Sequence, residues 1–400
     1  MRVLSGFFAG HEVVVAIANF TINLCPSRML YLVNQTQLPA EEEYPGLGES
    51  LGIDLNVLKS LQHEWSTTFN WTAEQAALNK YPQYTTDIEG LTIHFIHQKS
   101  GDPNAIPIIL NHGWPGSFAE FHPIIDPLTT VSTTSNGTSV SFDVVVPSLP
   151  GFAFSSKPPA NWTVDDTARI FNTLMTEVLG YATYAAHGTD WGSNVAYSLY
   201  ETYNTTVRAV HLIEIPFLPL SPDEFPTYNI TLDADEQFQE DEVLAFQATG
   251  TGYNIEQATK PNTIGLALYD NPVGQLAWIG EKYIEWSDPR AGTPPSVLTH
   301  NEILVQVSLY YLTKSFVSSV FTYAQNGAAF KSNYSKPETD APMLFSSFKY
   351  NFAFWTEEVV SWVGNLVLYS YHDFGGHFPA LDNPPALIDD IREIGNYWTS

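Results

Sequence analysis

The chain of 400 residues holds one cysteine, Cys25. No intrachain disulfide can form, and a four-cysteine zinc site is excluded. Cys25 reads as a small thiol, buried or partly exposed. Positive charge is equally scarce. Only 16 Lys and Arg stand against 43 Asp and Glu, a formal net charge of −27. Nucleic acid and anionic membrane surfaces both call for a basic stripe, so neither is an expected partner. Long apolar runs are missing too. The stretch MRVLSGFFAGHEVVVAIANF comes nearest, but His11 and Glu12 interrupt it. It falls short of the roughly 20 apolar residues of a membrane span, and it lacks the small-x-small cleavage site of a clean signal peptide. No internal repeat or low-complexity linker is visible.

What is present is apolar and aromatic. Hydrophobic residues make up 44% and aromatics 14%, enough for one large domain with insertions, or for two. Eight Asn-x-Ser/Thr sequons occur, at Asn19, Asn34, Asn70, Asn136, Asn161, Asn204, Asn229 and Asn333. Together with the low lysine content they suggest a secretory or extracellular route; a soluble intracellular location is the alternative. A homodimer is left open.

Short β-branched runs recur with helix-length spacers between most of them. They are GLTIHFIHQK (90–99), IPIILNHGWPGS (106–117), FDVVVPSLPGF (142–152), YATYAAHG (181–188), RAVHLIEIPF (208–217), PMLFSSF (342–348) and NLVLYSYH (365–372). This alternation predicts a mainly parallel α/β sheet flanked by helices. Before it, LNVLKSLQHEWSTTF places Leu55, Leu58, Leu61 and Trp65 on one helix face. The stretch 218–335 breaks the alternation with aromatic, helix-like pieces, expected as a helical lid over the sheet's carboxyl edge.

AAHGTDWGSNVAYSL (185–199) has the layout of a nucleophile elbow, with Asp190 where a serine usually stands. Asp190 could also be a plain helix N-cap. Two other segments give it company. NHGWPGS (111–117) follows an early strand and can offer a backbone N–H at Trp114, beside the one at Trp191, as an oxyanion hole. YHDFGGHFPALDNP (371–384) places His377 on a Gly-Gly loop after the last strand, in the order nucleophile, acid, histidine. An aspartate nucleophile suits attack on an alkyl carbon, because the ester it forms can then be hydrolysed.

Taken with FNWTAEQAALNKYPQYTTDIEGLTIHFIH and ATKPNTIGLALYDNPVGQLAWIGEKYIEWSD, these motifs make the chain resemble the microsomal-type epoxide hydrolases of the α/β-hydrolase superfamily, from about Phe20 to the C-terminus. The resemblance implies four segments: an N-terminal epoxide hydrolase meander (1–98), a first part of the hydrolase core (99–220), a helical lid (221–335) and a second part of the core (336–400). It implies an apolar epoxide as substrate, a vicinal diol as product, and no metal or organic cofactor. Asp190 then matches the nucleophile and His377 the base. Tyr253 and Tyr323 match the lid tyrosines that hold the epoxide oxygen. Trp114 and Trp191 match the oxyanion-hole donors.

One position departs from the family pattern: where the acid behind the histidine is usual, FKYN carries Asn351. Glu214, in the apolar run HLIEIPF, is the expected substitute, since a buried charge needs a partner. Some haloalkane dehalogenases resemble this arrangement. Asp373, or no acid at all, are the alternatives. Haloalkane dehalogenation and a degenerate, non-catalytic binder of apolar ligands remain as competing readings.

Overall fold

The computed structural model describes residues 3–8 and 11–399, with side chains from residue 16 onward. Arg2, part of the leader reading, lies outside the described residues, as do the side chains of His11 and Glu12.

A hairpin of β1 (Val3–Phe8) and β2 (His11–Ala16) leads to β3 (Ala18–Phe20) and three helices: α1 (Ser27–Gln35), α2 (Leu55–Thr67) and α3 (Trp71–Leu78). The side chain of Asp54 caps α2 by accepting from the N–H groups of Asn56 and Val57, which satisfies donors the first turn leaves free. The apolar spacing in α2 buries Leu58, Leu61 and Trp65. The Trp65 indole donates to Ser308 Oγ at 3.1 Å, tying this segment to a helix far along the chain.

Next come β4 (Gln83–Ile88), β5 (Leu91–Gln98), β6 (Ile106–Asn111), α4 (His122–Thr129) and the short pair β7 (Ser132–Thr133) and β8 (Ser139–Val140). Then follow β9 (Phe142–Pro147), α5 (Val164–Thr173), β10 (Tyr184–Gly188), α6 (Trp191–Thr202) and β11 (Val207–Leu212). Six helices interrupt the alternation: α7 (Ala234–Thr249), α8 (Gly252–Thr259), α9 (Pro261–Leu268), α10 (Pro272–Glu285), α11 (His300–Thr313) and α12 (Phe316–Gln325). β12 (Pro342–Tyr350) and β13 (Asn365–Gly376) complete the sheet before the C-terminal helices.

Nine strands form one sheet in the order β13-β12-β11-β10-β6-β9-β5-β4-β3. The six from β13 to β9 run parallel, and β5, β4 and β3 are antiparallel to their neighbours. This is the alpha/beta hydrolase fold. The inner parallel strands are buried on both faces, which is why they read as unbroken apolar runs rather than alternating ones, while the edge strand β13 is mostly half-buried.

Two edges differ from the sequence reading. The run 208–217 was expected as a strand to Phe217, but β11 ends at Leu212, whose neighbours Gly188 and Phe345 are its last pairing partners. The chain bends there, and Glu214 stands just past the sheet's carboxyl edge. β3 and β4 escape the pattern because QYTTDI is polar and only half buried. Among the described residues, no single helix is long and apolar enough to cross a membrane.

β10 turns directly into α6. A Cβ at Gly192 would meet the backbone oxygen of Asn111 at 2.0 Å, so only glycine lets the helix start this close to β6. That oxygen and the next one, His112 O at 2.6 Å, are backbone and cannot rotate away. Gly192→Ala is therefore expected to destabilise the protein by about 3 kcal/mol or more, read as a lower denaturation midpoint in urea; an unchanged midpoint would contradict this packing.

Candidate active site

Asp190 sits at the turn between β10 and α6 with φ +49° and ψ −128°, and its side chain makes no capping bond to the helix. Asp190 stands at the N-cap position of α6, but its carboxylate does not cap the helix. A non-glycine residue held in this region costs on the order of 1–3 kcal/mol, a strain that concentrates at functional turns. Surrounding bonds hold it. Thr189 N–H donates to Asn111 O at 3.1 Å, and the Asn111 amide donates to His187 O at 2.8 Å.

The loop after β6 comes up against this carboxylate. Trp114 N–H donates to Asp190 Oδ1 at 2.7 Å. A Cβ at Gly113 would lie 2.1 Å from that same oxygen, so glycine is required for the approach. Lid helices brace the loop from behind. Tyr310 on α11 donates to Gly116 O at 2.8 Å, Tyr283 on α10 to Pro115 O at 3.3 Å, and Ser117 donates to Gln306 Oε1 at 2.6 Å. With its carbonyls tied outward, the loop presents the Trp114 N–H inward. Burial pushes the Asp190 carboxyl well above its ordinary range; His377 pulls it back, Glu214 pushes it up, and the Trp191 and Trp114 N–H groups pull it down.

His377 follows β13 and is buried. Its ring lies among Phe352 at 4.5 Å, Phe378 at 4.9 Å and Trp286 at 5.2 Å between centroids. Its Nδ1 lies 2.9 Å from Glu214 Oε1 and 3.0 Å from Asn351 Oδ1. The Asn351 amide in turn donates to Glu214 Oε1 at 3.3 Å. Both partners of Nδ1 are acceptors, so Nδ1 carries the proton. That leaves Nε2 as the basic nitrogen, 3.6 Å from Asp190 Oδ2. Burial alone would depress His377, but the charge and hydrogen bond of Glu214, then Asp190 and Glu120, outweigh it and raise it above the ordinary value.

Tyr253 on α8 and Tyr323 on α12 close the site from the lid side. Their rings are 5.8 Å apart and nearly perpendicular. Tyr253 stacks on Trp114 at 5.4 Å, and Tyr323 packs edge-on against Trp191 at 5.1 Å. Burial, then the neighbouring negative charges, raise both phenols above their usual range, so they stay protonated and able to donate.

All seven residues singled out from the sequence meet at this edge. Asp373 does not: it is exposed on β13, where its backbone oxygen accepts from Arg290. Cys25 is exposed and remote in role. Sequence reasoning overlooked Glu120, in a short helical turn after the Trp114 loop. It is buried, accepts from Thr189 Oγ1 at 2.9 Å, and burial pushes it up to about 8. A glutamate inside the apolar FAEF is the same kind of signal that pointed to Glu214.

The His377 partners give a direct test by ring NMR. An opposite charge at this range raises an imidazole pKa by about one unit or more. Replacing the charge in Glu214→Gln should therefore lower the His377 titration midpoint by about one pH unit; an unmoved midpoint would mean Glu214 is not its charge partner in solution.

Comparison with known proteins places this geometry. Residues 18–121 match the family described as "Epoxide hydrolase N terminus", and residues 106–251 match "alpha/beta hydrolase fold". Epoxide hydrolase 1 of Sus scrofa is 33% identical over 376 residues, covering 86% of this chain and 80% of that protein. Juvenile hormone epoxide hydrolase 2 of Ctenocephalides felis is 32% identical over 369 residues, covering 86% and 78%. The solved structure of Aspergillus niger epoxide hydrolase superposes with a TM-score of 0.80 at 33% identity, over 96% of this chain and 97% of that one. The chain belongs to the epoxide hydrolase family of the alpha/beta hydrolase fold.

Proposed function

We propose that the protein adds water to an apolar epoxide to give a vicinal diol, through a covalent ester on Asp190. The observation that carries this reading is the His377 imidazole, bonded to Glu214 through Nδ1 and facing Asp190 with Nε2 at 3.6 Å, beneath two protonated lid phenols.

The ionised Asp190 carboxylate attacks an epoxide carbon in line, and the carbon–oxygen bond breaks. Tyr253 or Tyr323 gives its proton to the emerging alkoxide. Forming the ester removes the charge of Asp190, one of the groups that raises His377, so the imidazole becomes easier to deprotonate just when a base is needed. His377 Nε2 takes a proton from water, and that water's oxygen bonds to the ester carbonyl carbon. The N–H groups of Trp114 and Trp191 hold the resulting oxyanion. Collapse breaks the bond to the diol oxygen, which leaves with the proton held by His377; the carboxylic acid then gives its proton to the tyrosinate, restoring both the Asp190 carboxylate and the phenol. Every step uses groups of this chain; none calls for a metal or an organic cofactor.

Haloalkane dehalogenation shares the aspartate and histidine logic but has no use for two lid phenols. The non-catalytic reading rested on Asn351 replacing the acid, and the Glu214–His377 contact removes that reason. Of the eight sequons, Asn204 is half-buried and the other seven are exposed, which supports passage of the chain through a secretory compartment.

A single turnover in heavy-oxygen water tests the covalent route. Label is expected in the peptide containing Asp190 and not in the first diol released. Label in the diol with none in that peptide would mean water attacks the epoxide directly. Tyr253→Phe and Tyr323→Phe should each slow ester formation.

A further inference from the structure

Hydrolysis of an ester on Asp190 needs a water held against His377 Nε2 at a fixed angle. A buried water is held by two to four polar partners. The histidine supplies one. The rings around it are those of Trp286, Phe352 and Phe378; the two phenyl rings carry no polar atom, and the buried, unpartnered Trp286 Nε1–H can donate to a water but cannot accept the water's second proton.

Glu120 can. It is 2% exposed. Its Oε1 is taken by the Thr189 hydroxyl, one residue before the nucleophile, at 2.9 Å. Its Oε2 is buried and has no hydrogen-bond partner, and neither has His377 Nε2, whose nearest charged neighbour is Asp190 Oδ2 at 3.6 Å. Oε2 lies under the oxyanion loop: a Cβ at Gly116 would stand 1.9 Å from it. The titratable groups facing Glu120 are Asp190 at the elbow, His377 after β13, Tyr283 on α10 and Tyr310 on α11. None is a resident cation other than His377 when protonated. A dry carboxyl in that company keeps its proton near neutral pH.

We propose that Glu120 is the positioning residue for the second half of the reaction: its free Oε2, fixed by the Thr189 bond to Oε1, anchors the water that His377 deprotonates. This rests on the proposed ester mechanism and adds a residue to it. The water gives one proton to His377 Nε2 and its oxygen bonds to the ester carbonyl carbon. The carbon–oxygen bond to the diol breaks, and the diol leaves with the proton from His377. Glu120 keeps its own proton throughout, contributing a hydrogen bond rather than a charge. It has no part in ester formation, which happens on the lid side.

The test is rapid-quench kinetics with a racemic aryl epoxide, measuring ester on Asp190 and diol separately. In Glu120→Leu, ester formation should stay within about threefold of wild type, while ester hydrolysis slows about 10²-fold, the usual cost of losing position at a reacting atom. Glu120→Gln, a neutral side chain of the same shape, should restore hydrolysis to within about tenfold. If the leucine variant does not fold, Glu120→Asp withdraws Oε2 by one methylene and should show the same split at about tenfold. A purely structural role would slow both halves together. That result, or wild-type ester hydrolysis in the leucine or aspartate variant, overturns the inference. If wild type forms diol without any ester on Asp190, the ester mechanism falls and Glu120's role falls with it.

Discussion

One shared proton organises the site. His377 Nδ1 faces two acceptors, Glu214 Oε1 at 2.9 Å and Asn351 Oδ1 at 3.0 Å. With the proton fixed there, Nε2 must be the basic nitrogen, and it faces Asp190. Three adjacent strand ends have to line up for this: β11 delivers Glu214, β12 delivers Asn351, and β13 delivers His377. The parallel pairing of these strands puts all three at one edge of the sheet. A carboxylate buried beside a single histidine would be costly if left alone. Here the Asn351 amide bonds the same oxygen that the imidazole uses, so the neutral residue supports the charged one.

The surroundings suit that arrangement to the proposed reaction. Asp190, Glu214 and Glu120 share one buried cleft with a single imidazole, and burial, with a smaller push from Asp190, raises Glu120 to about 8. The elbow stores backbone strain at φ +49°, and the oxyanion loop is held against it from the lid side through Tyr283, Tyr310 and Gln306. The lid therefore does two things at once. It supplies the phenols and it sets the position of the backbone donors.

What could be read in the sequence follows from how local each signal is. The elbow, the Trp114 loop and the late histidine are short contiguous motifs, and the parallel strands are apolar runs, so each announced itself. Glu214 was visible because a charge inside HLIEIPF is out of place, although the strand it was assigned to ends two residues earlier. Glu120 sends the same signal in FAEF and was overlooked, since a glutamate beside a turn also reads as an ordinary cap. Asn351 was noticed only as a missing acid; that an amide could share the acid's work depends on a contact between two strand ends, 137 residues apart in the chain. Tyr253 and Tyr323 came from family resemblance alone, because nothing local separates them from the other tyrosines. The antiparallel strands β3 and β4 lack the apolar run by which the others were found.

The central claim is that the acid behind His377 has moved from the end of β12 to the end of β11. The most direct measurement is ester hydrolysis in Glu214→Gln and in the double variant Glu214→Gln/Asn351→Asp. The single variant should lose about 10²-fold, and the double variant should regain at least about tenfold of it, because the carboxylate is returned to the same Nδ1 from the neighbouring strand. Wild-type hydrolysis in Glu214→Gln would contradict the account, and so would a double variant no faster than the single.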